Sequence, residues 1–213
     1  MLYDKDIREP LFEFLETTYG KVRIIEEKRI SRSRADVMMI TEDALWGIEI
    51  KSDADSYVRL ERQVKDYNRF FDYNIVAVGT THAAHIAEHV PEYWGIITID
   101  EGETPDFYVL REPQRNPKRE KAVLFRNQVS FLWRPELAHI QEINGMHAYK
   151  RMSKANVILK IIDTVPQELL KRQICNELFE RDYTTIAETL EAYRKENRKP
   201  TEKKKRKRKK STC

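Results

Sequence analysis

Three ionisable side chains interrupt a stretch of the chain that otherwise has the composition of a β-hairpin. The segments ADVMMI (35–40) and LWGIEI (45–50) are rich in apolar residues and predict two strands. Asp36 and Glu49 lie inside these segments, and Lys51 follows the second one directly. Acidic residues are depleted in strand interiors. A cation held by both carboxylates would offset the cost of placing them there.

The spacing of the two acids fits one register of this hairpin. Residues 41–44 predict the turn, and if its centre lies between Glu42 and Asp43, paired residues have numbers that sum to 85. Asp36 then lies directly opposite Glu49, with Cβ atoms about 4.5–5.5 Å apart. Two carboxylates this close repel each other unless a cation lies between them. The register therefore predicts a Mg²⁺ site, with Mn²⁺ as a substitute, and a turn of odd length would break it.

The face that carries the charges also contains a glycine. Because side chains alternate along a strand, Gly47, Glu49 and Lys51 share one face, and Gly47 leaves space on it. The alternative interpretation needs no metal: Asp36 pairs with Arg34, and Glu49 with Lys51, as ordinary charges at a strand edge.

The remaining pattern predicts an α/β fold, because helices alternate with strands after the hairpin. A strongly amphipathic helix follows the hairpin directly, with one apolar face. Predicted helices cover residues 4–19, 57–71 and 82–90, and predicted strands outside the hairpin cover 22–27, 74–80, 94–99 and 107–112.

The pattern of apolar residues changes after the proline-containing segment EPQRNPKRE (112–120), and this change predicts four regions. Beyond residue 120 the apolar spacing is helical throughout, which predicts three to five helices. The predicted regions are a domain over 1–112, a linker over 113–120, a helical region over 121–193 and a disordered basic tail over 194–213.

Composition narrows the classes of protein. The chain has 213 residues, of which 40% are hydrophobic, enough for a core, and no apolar run is long enough for a membrane span. The N-terminus MLYDKDIREP lacks a signal-peptide pattern, which predicts a cytoplasmic protein. The two cysteines, Cys175 and Cys213, predict neither a disulfide framework nor a zinc site.

The basic tail points to a polyanionic partner. Residues 194–210 hold 12 basic and 2 acidic residues and contribute +10 to a net charge of +4, so the rest of the chain carries −6. Such a run favours nucleic-acid binding through the release of counterions. It does not specify the nucleic acid, and the sequence leaves open homo-oligomers and other protein partners.

The motifs ADV and IEIK, which carry Asp36 and Glu49 with twelve residues between them, resemble the metal-binding signature of the PD-(D/E)XK nuclease superfamily. The element order helix, three strands, helix, strand matches as well. The stretch EIKSDADSYVRLERQVKDYNRFFD (49–72) is similar to a poorly characterised bacterial and phage branch of that superfamily. The proline that names the motif is absent, since Ala35 precedes Asp36. The resemblance implies a restriction-endonuclease-like three-layer core with a mixed central sheet, followed here by C-terminal helices.

The resemblance also implies roles for the hairpin residues. Asp36 would be the principal metal ligand, Glu49 the second, and the backbone carbonyl of Ile50 the third. Lys51 would position or activate the attacking water and stabilise charge on the phosphate. The implied activity is metal-assisted hydrolysis of phosphodiester bonds in DNA.

Further residues of the amphipathic helix and the first strand enter through the same resemblance. Gln63 and Tyr67 resemble the Gln-x-x-x-Tyr element of RecB-like nucleases, which supports the metal site, although the place of Tyr67 in the apolar stripe equally predicts core packing. Some relatives use one more acid, for which Glu27 is our choice over the other candidates, Glu9, Glu13 and Glu26.

Basic residues outside the hairpin complete the prediction. Arg34, Arg59, Arg62 and Arg69 are expected to contact the DNA backbone, although a solvated basic face would also explain them. The tail residues expected to add affinity are Lys203, Lys204, Lys205, Arg206, Lys207 and Arg208. The alternatives to a nuclease are a non-catalytic nucleic-acid-binding protein that uses the C-terminal helices and tail, and a module that binds acidic protein partners.

Overall fold

Six strands form one mixed sheet in the computed structural model, which describes residues 3–102, 104–117 and 122–182. The order of the strands across the sheet is the same as their order in the chain. They are β1 (Arg23–Ile30), β2 (Ser33–Ile40), β3 (Leu45–Lys51), β4 (Tyr73–Gly79), β5 (Gly95–Asp100) and β6 (Asp106–Arg111).

The sheet has an antiparallel half and a parallel centre. Strands β1, β2 and β3 are antiparallel neighbours, β3, β4 and β5 are parallel, and β6 returns antiparallel to β5. Parallel neighbours need crossover connections. A 3₁₀ turn (Tyr57–Arg59) and helix α2 (Leu60–Tyr67) connect β3 to β4, and two short helices, α3 (Thr80–Ala83) and α4 (Ile86–His89), connect β4 to β5.

Helices cover both faces of the sheet. Helix α1 (Asp4–Tyr19) buries Ile7, Leu11 and Leu15 in the apolar cluster on one face. Helix α2 and the C-terminal helices bury their apolar side chains in the cluster on the other face. The predicted fold class is confirmed: a three-layer α/β arrangement around a mixed central sheet, with additional C-terminal helices.

Four of these C-terminal helices lie among the described residues and share a buried cluster with the sheet. A buried ion pair between Lys171 and Asp72, which Gln128 joins, also connects them to the sheet region. The described residues up to Glu180 form one compact unit, and the boundaries at residues 112, 120 and 193 stay predictions. The helices are α5 (Ala122–Ser130), α6 (Arg134–Ile143), α7 (Lys154–Thr164) and α8 (Gln167–Phe179).

Two predicted helices differ from the observed ones. The helix predicted over 57–71 begins as a 3₁₀ turn and ends at Tyr67, because the chain must turn for Asp72 to bond with Leu45: the Asp72 amide donates to the Leu45 carbonyl at 2.8 Å. The helix predicted over 82–90 is divided into α3 and α4. None of the helices in the described ranges is long and apolar enough to cross a bilayer.

Candidate active site

The hairpin of β2 and β3 has the register that the sequence predicted. Val37 pairs with Ile48, and the following pairs up to Ile40–Leu45 keep the same sum of residue numbers. The backbone pairing of β2 with β3 ends at Val37–Ile48. Beyond it, the Ile50 amide donates its hydrogen bond to a side chain instead of a backbone carbonyl, namely to Asp36 Oδ2 at 2.9 Å. The Asp36 carboxylate is therefore fixed beside Glu49 at the point where the two strands separate.

Glu49 is almost completely buried, at 1% exposure, and its carboxylate is held by three donors. Lys51 donates to Oε1 at 2.7 Å, Gln63 donates to the same oxygen, and the Tyr67 hydroxyl donates to Oε2 at 2.7 Å. A carboxylate offers about four lone-pair directions. The Glu49 carboxylate thus keeps about one direction for a further ligand, and the cost of burying its charge is offset by the Lys51 ammonium.

Tyr67 links the two acidic residues. Its hydroxyl lies 2.7 Å from Glu49 Oε2 and 3.2 Å from the Ile48 carbonyl, and since it has one proton, the shorter contact identifies Glu49 as the acceptor. The Tyr67 hydroxyl oxygen also accepts a hydrogen bond from the Asp36 amide at 3.2 Å. Burial, and then the charges of Glu49 and Asp36, hold the pKa of Tyr67 well above its usual value. The ring is fully buried, so the side chain both packs in the core and supports the site.

Gly47 allows the end of α2 and the turn after it to approach the sheet closely. A Cβ built on Gly47 would overlap the Phe71 ring and lie 2.6 Å from the Tyr67 ring. The space that the sequence predicted at Gly47 therefore exists, but aromatic rings fill it. Their close approach is what brings the Tyr67 hydroxyl within reach of Glu49.

Asp36 titrates near neutrality in this environment. Its pKa is raised from 3.8 to about 7, by burial first and by the negative charge of Glu49 second, against the hydrogen bond from Ile50 and the charges of Lys51 and Arg8. Two neighbouring carboxylates in a partly desolvated site produce this effect. The repulsion that the sequence predicted between Asp36 and Glu49 is therefore present in the fold.

Glu27 lies opposite Asp36 on the other side of β2. The pairs Glu26–Val37 and Lys28–Ala35 flank this position, and Glu27 itself has a φ of 55°, in the left-handed region that favours glycine. In a regular strand, Ile25 and Ile30 would point to opposite faces of the sheet, because they are five residues apart. Both contact the same apolar cluster, so the alternation of side chains along β1 is interrupted once between them. The unusual backbone at Glu27 marks that change.

An arginine from the first helix binds this region together. The Arg8 guanidinium donates to Glu27 Oε1 at 2.7 Å, to Glu26 Oε2 at 3.0 Å and to the Asp36 carbonyl at 3.3 Å. Glu27 also forms an ion pair with Arg34. Because two arginines already bind it, Glu27 is placed to orient Arg8 and Arg34 beside Asp36.

These residues line one open cleft with a volume of about 560 Å³. Asp36, Glu49, Ile50, Lys51 and Gln63 lie in its wall. Its described lining holds seven basic and five acidic side chains, so positive charge surrounds the central carboxylates. The arginines among them are Arg8, Arg29, Arg32, Arg34, Arg59 and Arg62.

The predicted arginines reach this cleft with one exception. Arg34, Arg59 and Arg62 line it, but Arg69 does not, because α2 ends at Tyr67 and Arg69 follows in the turn. There the Arg69 carbonyl accepts a hydrogen bond from Asn127. Arg69 therefore lies outside the cleft and beyond the end of the helix predicted over 57–71.

Three other cleft arginines were absent from the sequence prediction. Arg29 and Arg32 lie at the turn between β1 and β2, where the basic run KRISRSR (28–34) could have indicated a phosphate-binding surface. Arg8 lies in α1, and no pattern in the sequence connects it to the hairpin. The predicted tail residues, Lys203, Lys204, Lys205, Arg206, Lys207 and Arg208, lie outside the described residues.

The donor set of the cleft fits a hard divalent cation. Asp36 keeps Oδ1 outside its hydrogen bond to Ile50, and a cation near both carboxylates would remove the repulsion that raises the Asp36 pKa. The described residues contain no cluster of three or more His, Cys, Asp or Glu side chains suited to a metal. Two carboxylates suit Mg²⁺, which commonly binds one or two of them and completes its shell with water and phosphate oxygens.

Comparisons with known proteins give one weak structural match and one family. The structure of Pyrococcus furiosus SfsA in complex with Ca²⁺ aligns with a TM-score of 0.31 and 16% identity over 49% of this chain. The aligned part spans 59% of the SfsA chain. No curated protein matches the sequence. The model of the family described as bacteriophage P4 protein cII matches residues 1–205, and the chain therefore belongs to that family.

Proposed function

We propose that this protein is a Mg²⁺-dependent nuclease that hydrolyses phosphodiester bonds of DNA. The observation that supports the proposal most directly is the meeting of Asp36, Glu49 and Lys51 in one arginine-lined cleft. These are the residue types of the PD-(D/E)XK signature, and they lie on two strands that pair in the register expected from the sequence.

The cleft residues divide the work by their chemistry. Arg59 and Arg62, which line the cleft from one helical segment, bind backbone phosphates. The buried Lys51 ammonium supplies positive charge where the phosphoryl group becomes more anionic in the transition state. Gln63 and Tyr67 hold the Glu49 carboxylate in place through its two oxygens, so little reorganisation is needed when substrate binds.

The cation would be held by Asp36, Glu49 and the Ile50 carbonyl. When bound, Mg²⁺ would neutralise charge on the phosphoryl group and lower the pKa of a coordinated water. Mn²⁺ shares the preference for oxygen ligands and is expected to replace it.

A cleavage assay with matched variants tests the proposal. Plasmid and linear DNA are incubated with Mg²⁺, with Mn²⁺ or with EDTA, using the wild type, Asp36→Asn and Lys51→Met. Cleavage should require the divalent ion and fall by at least about 100-fold in both variants. Glu61→Gln is the control, because Glu61 is exposed on α2 and pairs only with Lys65 in the described structure. Equal activity in all four proteins, or none in the wild type with either ion, would refute the assignment.

Isothermal titration separates metal binding from catalysis. The wild type should bind Mn²⁺ or Mg²⁺ at one strong site, and Asp36→Asn should lose it. Lys51→Met should keep metal binding while losing cleavage, because its role is charge stabilisation. Loss of metal binding from Lys51→Met, or its retention by Asp36→Asn, would contradict these roles.

Non-catalytic binding of nucleic acid is the second candidate function. It is favoured by the positive charge of the cleft and by the hydrogen bonding of both Glu49 oxygens to protein donors. Deletion of residues 194–213 discriminates between the two functions. A binding protein should lose most of its affinity, whereas a nuclease should keep cleavage at low salt.

A further inference from the structure

We infer that the protein binds double-stranded DNA and that the tip of the β1–β2 hairpin enters the minor groove beside the cleft. The last residues of this hairpin, 28–35, are called the basic hairpin end below. Its turn consists of Ser31 and Arg32, because Ile30 and Ser33 form the last pair of the ladder. The inference deepens the proposed function by naming the form of the substrate, and it rests on that function only in taking DNA as the polyanion.

The basic hairpin end is separated from the rest of the sheet. Strand β2 pairs with β3 only as far as Val37–Ile48, so residues 33–35 of β2 pair with β1 alone. Both strands of this ribbon contribute to the lining of the cleft. The ribbon therefore forms a wall of the cleft whose turn points away from the paired part of the sheet.

This wall is fixed before any ligand binds. Ile30 is fully buried in the core, and the buried Ser33 hydroxyl donates to Asp66 Oδ2 of α2 at 2.7 Å. Ser31 has a φ of 52°, in the left-handed region that two-residue hairpin turns use. The exposed Arg32 side chain is thus presented from a rigid turn, and little backbone entropy is lost when DNA binds.

The charge of the basic hairpin end favours a polyanion. Arg29 and Arg34 lie directly opposite each other in the ladder, where like charges destabilise a pair of strands. Glu27 compensates Arg34, but the described structure gives neither Arg29 nor Arg32 an anionic partner. Backbone phosphates would relieve this repulsion, and their counterions would be released on binding.

A second element brings arginines to the same cleft. Arg59 ends the 3₁₀ turn and Arg62 lies in α2, and both are exposed and without an anionic partner among the described residues. The cleft that they share with the basic hairpin end also holds Asp36 and Glu49. A groove of a duplex is bordered by two phosphate backbones, so arginines on two separate elements can contact one backbone each.

The lining of the cleft favours a duplex over unpaired bases. Proteins that bind single strands commonly stack the bases on aromatic side chains. Among the described lining residues, none is Phe, Tyr, Trp or His, and Ile50 is the only large apolar one. Contacts in the cleft are therefore made mainly to phosphate and sugar groups, which a duplex presents while its bases stay stacked on each other.

The shape of the basic hairpin end favours the minor groove. The major groove, about 12 Å wide, accepts a whole two-stranded ribbon that lays one face against the bases. Here one face is buried on the core, and the other offers the single pair Arg29–Arg34 before the residues of the site begin. The minor groove is about 6 Å wide, and its negative potential attracts a single arginine such as Arg32 at the turn.

Binding measured in EDTA tests the inference without cleavage. Fluorescence anisotropy compares a DNA duplex with its single strand and with duplex RNA of the same sequence, at one salt concentration. We expect the wild type to bind the DNA duplex at least about 5-fold more tightly than either. Arg32→Ala should weaken duplex binding by about 10-fold and single-strand binding by less than about 3-fold.

A matched control removes an arginine elsewhere. Arg69 is exposed and lies outside the cleft, so Arg69→Ala should weaken duplex binding by less than about 2-fold. The basic segment 194–210 is present in all of these proteins, so differences between them report on the substituted arginine.

Base composition gives a second readout that is specific for the minor groove. The guanine N2 amino group lies in that groove, and inosine lacks it. The wild type should bind A·T and I·C duplexes about 3- to 10-fold more tightly than a G·C duplex of the same length, and Arg32→Ala should lose most of this difference.

The outcomes separate this inference from the proposed function. Selective loss of duplex affinity in Arg32→Ala, with the preference for I·C over G·C, supports the hairpin tip even if no DNA is ever cleaved. Absence of duplex binding, single-strand binding as tight as duplex binding, unchanged or equally reduced affinities in Arg32→Ala, or equal affinity for G·C and I·C duplexes would overturn it even if the nuclease assay succeeds. Tighter binding of duplex RNA than of duplex DNA would overturn the assignment of the ligand.

Discussion

Replacing Asp36 by Asn should stabilise the metal-free protein at pH 8 and leave its stability nearly unchanged near pH 4. The folded structure raises the Asp36 pKa from 3.8 to about 7, through burial first and the charge of Glu49 second. A raised carboxyl pKa means that the folded state binds the proton more tightly than the unfolded state. The corresponding stability is complete below about pH 4 and is lost as the pH rises through 7.

The magnitude follows from the two pKa values. At about 1.4 kcal/mol per pH unit, the difference between 3.8 and about 7 corresponds to about 4 kcal/mol of unfolding free energy lost by pH 8. Asn cannot ionise, so the unfolding free energy of the variant does not fall with pH for this reason. Its amide oxygen can still accept the hydrogen bond that the Ile50 amide donates to Asp36 at 2.9 Å.

Urea unfolding of both proteins in EDTA, at several values between pH 5 and 8.5, measures the effect. The variant should exceed the wild type by an amount that grows with pH to a few kcal/mol. Mg²⁺ at pH 8 should narrow the difference, because only the ionised wild type gains by binding it. Asp106→Asn, at an exposed position of β6, should show no such pH dependence. A difference that is constant with pH, or a variant less stable than the wild type at pH 8, would refute the reasoning.

Three further changes test other parts of the fold and the cleft. Gly47→Ala should lower the unfolding free energy by about 1–3 kcal/mol in urea denaturation, because the added methyl group overlaps the rings of Phe71 and Tyr67. An unchanged urea midpoint would contradict that packing. Lys171→Met should cost about 3–5 kcal/mol in the same measurement, since it leaves the buried Asp72 carboxylate without its cation, and a cost below about 1 kcal/mol would contradict a buried pair. Arg62→Ala should reduce the salt dependence of DNA binding by about one phosphate contact, whereas Arg69→Ala, outside the cleft, should not, and equal slopes for both variants would contradict the assignment.

The register of the hairpin was predictable because it depends on local features. Alternation sets the face of each side chain, and an even turn over residues 41–44 sets the pairing, so the neighbourhood of Asp36 and Glu49 follows from sequence numbers alone. The occupant of the space at Gly47 did not follow. Alternation predicts an open position, but only the placement of α2 shows that the Tyr67 ring enters it.

Features that join distant segments were beyond sequence reasoning. Arg8 reaches the Asp36 carbonyl from a helix 28 residues earlier, and no spacing rule connects the two. The change of face in β1 at Glu27 also breaks the alternation on which strand predictions depend. The position of Arg69 differs for another reason: the predicted helix continued beyond Tyr67, whereas the chain turns there to reach β4.

The position of the cleft follows from the separation of its two acidic strands. Strand β3 pairs with β4 along its length, from Trp46–Tyr73 to Lys51–Val78, so Glu49 and Lys51 lie on a strand that is held from one side throughout. Strand β2 leaves β3 after the Val37–Ile48 pair and stays paired with β1 on both sides of Asp36. Across the opening, Asp36 is joined to β3 and α2 by single hydrogen bonds with Ile50 and Tyr67. The separation opens the cleft without loosening Glu49. A cation that draws the two carboxylates together should move Asp36 more than Glu49, because one protein donor holds the Asp36 carboxylate and three hold that of Glu49. The cation would also offset the cost of ionising Asp36, whose pKa is raised to about 7 by burial and by the charge of Glu49.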